Sequence, residues 1–364
     1  MQRPSASALY INTLEDKLND ALSQLPEHKG FVRLSTRSPK DSTFLFDEAT
    51  TIMSDDQLYW PETTNKHQQL VSLTASLLKA MKASTGKKII DIIQNSFRVH
   101  SDLLSLINLN DRQEHSTQII LREWVDIRPD HEFRVFVSRR GRTKSLVTAI
   151  SQYFHHLYFE GAPSNSINNF SEQAHNELKQ KIDDYVIESI DPKVSKMLKF
   201  SDEQVMDESA NCIREYIVDI ALVPSQHYRG KSRDFNQIVI EDSIYTLVLI
   251  ELNPFSPAAK GSALFNWTKD LNTLWGKAER DYPVYAYRSS PCDKLEAVSL
   301  LPLNYQTIIA DALRKREAGK AADMRTETTE QTAQHSHEMN RQCMFFSSDS
   351  KKETALMQNL ELSL

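Results

Sequence analysis

The sequence predicts a mixed α+β protein, and three observations carry that reading. Short apolar runs that read as strands recur at 31–34, 118–125, 132–137, 146–159, 216–222 and 246–253. Other stretches repeat apolar residues at helical spacing: Leu70, Leu73, Leu77 and Met81, then Ala174, Leu178, Ile182, Val186 and Ile190. The length, 364 residues, is enough to bury a sizeable core, read here as two lobes and a tail.

Composition narrows the function classes. The net charge of −6 is mild, and no basic field points to nucleic acid. Cys212, Cys292 and Cys343 are scattered, with neither a disulfide framework nor zinc-ligand spacing. Met1–Thr13 lacks the apolar core of a signal peptide, and no run reaches membrane-spanning length. The expectation is a cytoplasmic protein, monomeric alone, with no membrane or nucleic-acid partner. A protein delivered into a host cytosol would read the same way.

In chain order, residues 1–29 form a helix, with Leu14, Leu18 and Leu22 four apart, and a lead-in. Residues 30–117 make an N-terminal lobe. It opens with a strand over Phe31–Leu34 that contains Arg33, then a loop, Ser35–Asp41, with Arg37, Pro39 and Lys40. Three cations at a strand end suit a triphosphate, or form a solvated basic loop. A helix follows over 66–83. Thr85-Gly-Lys-Lys88 is not a phosphate loop, because the upstream glycine is missing and no Ser or Thr follows the lysine. Ile89–Leu106 reads as continuous helix.

Residues 118–320 make a C-terminal lobe. Gln118–Val125 is a strand. In the next strand Glu132, Arg134 and Phe136 share one face, and Arg134 needs an anion, which Glu132 or a phosphate would supply. Arg139–Lys144 is a basic hairpin turn. Leu146–Phe159 is a long strand or strand pair, placing His155 and His156 on opposite faces. Ser171 caps the helix that ends at Pro192. Leu264–Trp275 and Thr307–Arg316 read as helices. From 321 to 364 the chain is polar and read as disordered, with Met344-Phe-Phe346 and Leu356–Leu364 as candidate docking segments.

The chemistry concentrates in two strands. Thr246–Phe255 carries one acid, Glu251, in an apolar run of the kind buried on both faces, with Asn253 on the same face and Pro254 ending the ladder. Tyr216–Leu222 also carries one acid, Asp219. Two adjacent strands that each bury a lone carboxylate repel, and a shared cation relieves this. Asp219, Glu251 and Asn253 offer hard oxygen ligands suited to Mg2+. Magnesium bound by few carboxylates commonly completes its shell with phosphates, which points to a nucleotide. The plainer alternative is Glu251 paired with an arginine and Asn253 capping a turn.

Several blocks in order carry a resemblance. These are Phe31–Asp41, Arg122–Pro129, Glu132–Val137, Ala149–Gln152, Tyr216–Asp219, Leu249–Phe255 and Leu264–Trp267. Together, over about residues 30–270, they resemble the cell division cycle protein 123 family. The resemblance implies an ATP-grasp-like, two-lobed α+β fold with mixed and antiparallel sheets, flanking helices and a nucleotide cleft between the lobes. It implies ATP and Mg2+ as ligands. Adenine would lie against the strand joining the lobes, at Arg122, Glu123, Trp124 and Val125, with Trp124 as an apolar wall or as plain core. Phosphates would meet Arg33, Arg37, Lys40 and Arg134. The metal would sit on Asp219, Glu251 and Asn253.

The resemblance also implies an assembly factor for eukaryotic translation initiation factor two that binds its gamma subunit. The alternative is an ATP-grasp ligase that forms an acyl-phosphate and joins it to an amine. Three departures bear on that choice. The family has a lysine where Arg33 stands, and an Arg-Asp pair where Tyr153-Phe154 stand. It also joins the two acid-bearing strands tightly, whereas an insertion here spans about 223–240. The insertion reads as a lid over the metal, a partner surface or an unstructured loop.

Overall fold

The computed structural model describes residues 6–54, 66–108, 117–139, 144–159, 166–198, 214–228, 236–257, 261–292, 304–319 and 321. The chain divides into two compact units, Met1–Ile309 and Ala310–Leu364. In the second, the described residues 310–319 and 321 are helical. The docking segments expected in the tail, and most of the Arg139–Lys144 turn, lie outside the described residues. No helix among the described residues is long and apolar enough to cross a membrane.

The first unit has mixed α+β architecture, with two sheets among its described residues. The smaller pairs β1 (Gly30–Leu34) with β2 (Ile119–Glu123), antiparallel, Arg33 opposite Ile120. Among the described residues five helices accompany it: α1 (Ala6–Ser23), α2 (Phe44–Ser54), α3 (Lys66–Ala80), α4 (Gly86–Gln94) and α5 (Phe97–Asn108). Residues of α1 to α4 meet in one core that includes Leu18, Leu22, Leu45, Ala80 and Ile89.

Thr85-Gly-Lys-Lys88 serves this packing. The Thr85 hydroxyl accepts the Lys88 N–H at 3.2 Å as the cap of α4. A Cβ on Gly86 would stand 2.4 Å from the Glu15 carbonyl oxygen of α1, so glycine permits the close approach.

The expected continuous helix over Ile89–Leu106 is two helices. Ser96 breaks it, donating to Asp41 at 2.6 Å while its hydroxyl accepts the Val99 N–H. Asp41 also accepts the Arg98 N–H at 2.9 Å. A serine and an aspartate that satisfy the first turn of α5 favour a fresh start over continuation. The same contacts tie the cationic loop after β1 to α5.

The larger sheet has six strands in the order β6-β7-β5-β3-β4-β8. They are β3 (Glu132–Ser138), β4 (Leu146–Gln152), β5 (Glu215–Pro224), β6 (Gln237–Ile240), β7 (Ser243–Pro254) and β8 (Val284–Ala286). All neighbours are antiparallel except β4 and β8. Beyond β4 lie α6 (Glu172–Tyr185), a π-helical turn (Val186–Ile190) and α7 (Asp191–Leu198). The stripe Ala174, Leu178, Ile182, Val186 and Ile190 is buried as its spacing predicts. Pro192 does not end the helix. It comes just after the π turn, where the Asp191 N–H reaches back to the Val186 carbonyl and the chain runs on helically into α7.

Two other expectations fail for local reasons. Leu146–Phe159 is strand only to Gln152, because the buried Gln152 side chain donates to the carbonyls of Phe154 and Leu157 and folds a turn there. His155 and His156 therefore lie in a turn, not on a strand. Leu264–Trp275 is helical only at Leu271–Leu274. Asn266 accepts the N–H groups of Thr268 and Lys269 with its side chain, a local alternative to helical bonding. The freed aromatics Phe265 and Trp267 pack edge-on against Phe136.

Candidate functional site

The site forms where β1 and β2 approach β3, β5 and β7. Register does the assembly. Arg134 stands opposite Asp219 on one side of β5, and Glu251 stands opposite Asp219 on the other. Immediately beyond that pair the ladder shifts, with Ile220 opposite Leu249, so Ile250 is the extra residue of a bulge. Three residues predicted from two strands, Asp219, Glu251 and Asn253, are therefore brought together.

Their partners differ from the expectation. Arg134 Nε and one terminal nitrogen each donate to an Asp219 oxygen at 2.9 Å, a two-point pair buried in the sheet. Asp219 thus supplies the anion that Arg134 needs, in place of Glu132. The remaining Arg134 nitrogen donates to the Gly261 carbonyl at 2.6 Å. Asn253 Nδ2 donates to Asp219 at 2.8 Å. Glu251 meets Arg33 at 3.3 Å across the gap between the sheets. The repulsion between the two acids is thus met in the protein itself by two guanidinium groups. Burial acts to lower the Arg134 pKa, but the hydrogen bonds and charge of Asp219 outweigh it and hold it above its ordinary value.

The donor set still fits a hard divalent cation in kind, being two carboxylates and an amide. Among the described residues no three His, Cys, Asp or Glu side chains cluster to hold a metal. A cation on this set would share Asp219 with Arg134.

Two cavities adjoin these groups. The first, about 100 Å³, is lined by apolar side chains from Phe31, Leu78, Met81, Trp124, Val125, Ile127 and Val248–Ile250. Arg33, Lys40, Arg122, Glu123, Glu132 and Glu251 complete its wall. The second, about 800 Å³, is lined by Arg33, Arg37, Lys40, Arg98, Arg134, Tyr153 and His155, with Glu251 and Asn253. Arg33, Ser38, Lys40 and Glu251 belong to both. An apolar chamber thus adjoins a cationic one through a shared wall. The apolar run of β7 is explained by this arrangement. Val248–Glu251 is half-buried against the first cavity and is not covered on both faces as its sequence suggested.

The predicted residues divide as follows. Arg33 and Lys40 stand at the junction of the two cavities. Trp124 lines the first cavity and also packs on the core of the helical part. Val125 lines the cavity just past the end of β2. Arg37 is engaged by both oxygens of Asp102 on α5, at 2.7 Å each.

Arg122 spans from β2 to the bulge of β7, donating to the carbonyls of Ile250 at 2.5 Å and Leu249 at 3.0 Å. It acts there as a clamp between sheets. Arg122→Ala is expected to speed amide hydrogen exchange over Leu249–Glu251 and leave β5 unchanged. Equal acceleration in both strands would contradict the clamp.

Sequence reasoning missed Tyr153, His155 and Arg98 as lining groups and undervalued Glu132. Glu132 is 3% exposed and lines the first cavity. Burial is the main cause that raises its pKa, Asp219 and Glu251 add to it, Lys40 and Arg134 oppose it, and the value is pushed up to about 7. For Lys40 burial works downward, but Tyr153, Glu132, Glu251 and Asp219 together hold its pKa above the ordinary value. His156 is buried, and burial, with His155 and Arg288, lowers its pKa to about 3.

The insertion is not wholly a cover for Asp219, Glu251 and Asn253. β5 and β7 stay paired from Asp219–Glu251 to Pro224–Tyr245, so the connection leaves the sheet five residues further on. That is about 17 Å at a strand's rise. Part of the insertion is β6, an edge strand on β7. Tyr228 comes back within electrostatic reach of Arg122, and residues 229–235 lie outside the described residues.

A family model described as D123 matches residues 75–344, which is most of the chain. The chain belongs to the D123 family. This is the cell division cycle protein 123 family that the ordered blocks resemble. The D123 match begins after the Phe31–Asp41 block and runs past residue 270, so it is shifted toward the C-terminus relative to those blocks.

Two solved structures are similar, both from Schizosaccharomyces pombe. C-terminally truncated Cdc123 is 20% identical, over 78% of this chain and 79% of that one, with a TM-score of 0.36. Cdc123 is 15% identical, over 80% of this chain and 100% of that one, with a TM-score of 0.30. No curated protein matches the chain.

Proposed function

We propose that this D123-family chain binds Mg-ATP across the two cavities and serves as an assembly factor for eukaryotic translation initiation factor two, gripping its gamma subunit. The nucleotide half rests on one observation, the apolar chamber joined to a cationic one at Arg33 and Lys40. A heteroaromatic ring suits the first and a phosphate chain the second. Magnesium would be held by Glu251, Asn253 and Asp219, where it would neutralise phosphate charge. The assembly half rests on family membership and on the implied biology of that family.

Thermal melts with Mg-ATP test the first half. A ligand at a hundred times its dissociation constant adds about 2.7 kcal/mol to stability. An unchanged melting temperature at millimolar Mg-ATP would remove the nucleotide reading. Co-elution with purified gamma subunit at micromolar concentration tests the second. The roughly 800 Å³ of the cationic cavity also favours a second reading, because it has room for an acceptor beside a phosphate chain. Failed co-elution, with ATP breakdown accelerated by an amine acceptor, would select the ligase.

A further inference from the structure

Tyr153 stands just past β4, and its N–H donates to the Glu132 carbonyl at 2.9 Å. The backbone thereby sets where its ring stands, and the ring faces two cations. Lys40 Nζ lies 5.3 Å from the ring centroid and the Arg134 guanidinium carbon lies 4.9 Å from it. Lys40 comes from the loop after β1 and Arg134 from β3, so the ring joins parts of the chain far apart in sequence. All three line the cationic cavity.

Two cations drawn to one place repel. A carboxylate between them would hold them but would also cancel the charge that a ligand needs. An aromatic face attracts both and leaves them cationic. Asp219 engages Arg134 from beneath, in the sheet. Among the described residues no carboxylate lies within ion-pair distance of Lys40. We infer that Tyr153 is a positioning residue that holds Lys40 and Arg134 together as cations for a polyphosphate, an inference that rests on the nucleotide reading above. The ring, not the hydroxyl, does this.

The test is binding of ATP, AMP and inorganic tripolyphosphate to wild type, Tyr153→Phe, Tyr153→Leu and Tyr153→Glu. Phe is expected to stay within about twofold of wild type, and Leu to bind ATP and tripolyphosphate about tenfold more weakly, with AMP changed less than about twofold. Glu, which holds both cations but neutralises them, is also expected to weaken ATP and tripolyphosphate and spare AMP. If the Leu variant does not fold, Phe against Glu carries the comparison. The inference is overturned if Phe is as weak as Leu, if AMP falls in parallel with ATP, or if none of the variants changes tripolyphosphate binding. Should wild type bind tripolyphosphate through the ring but not ATP, the nucleotide reading fails and the positioning role stands. Should wild type bind neither, both fail.

Discussion

Asp219→Ala is expected to destabilise the protein by about 3–5 kcal/mol, because it strands a buried guanidinium. The sequence alone suggests the opposite sign, since two facing acids repel and removing one should relieve them. The structure reverses this. Asp219 and Arg134 are both buried and joined by two hydrogen bonds of 2.9 Å, and Asn253 donates to the same carboxylate. Without Asp219 the Arg134 charge keeps only the Gly261 carbonyl among these partners. Replacing both members, Asp219→Leu with Arg134→Met, is expected to recover much of the loss, as it removes the unpaired charge. Urea denaturation of the two variants decides this. A single variant as stable as wild type would show that the pair contributes nothing to folding.

Glu132→Gln is expected to stabilise the protein, and increasingly so as pH rises. The Glu132 carboxyl is raised from an ordinary 4.5 to about 7. A carboxyl raised in the folded state leaves stability intact below the unfolded value. Stability is then lost as pH climbs from there through about 7, and the loss levels off above it. The full span is about 3 kcal/mol. Glutamine keeps the shape without the charge, so the gap between variant and wild type should be small at pH 4 and near its full size at pH 8. Parallel stability profiles across that range would mean that Glu132 titrates normally. The substitution also removes a negative charge within electrostatic reach of Lys40, though beyond ion-pair distance, so it is expected to strengthen binding of inorganic tripolyphosphate.

How much of this was legible in the sequence depends on the range of the interactions. The strand at Phe31–Leu34 and the stripe from Ala174 to Ile190 follow from local periodicity, and both hold. Asp219 and Glu251 stood out because a lone acid in an apolar run needs a partner. Which partner they take was not legible. Arg134 lies 85 positions from Asp219, and only strand order and register bring them together.

The misread helix at Leu264–Trp275 has a different cause. Its apolar residues fit a helix, but Asn266 offers its own side chain to the following N–H groups. Tyr153 was visible as a departure from the family's Arg-Asp pair. Nothing local says that its ring would lie against both Lys40 and Arg134, because the loop after β1 reaches it only in three dimensions.

The central claim, that this site takes Mg-ATP, is tested most directly by isothermal titration of ATP into wild type and Glu251→Gln, each with and without magnesium. Wild type is expected to bind one ATP, more tightly with magnesium than without it. Glu251→Gln is expected to bind with no difference between the two conditions, because its cation ligand is gone. No heat from wild type at millimolar Mg-ATP, or a magnesium effect that survives intact in Glu251→Gln, would contradict the claim.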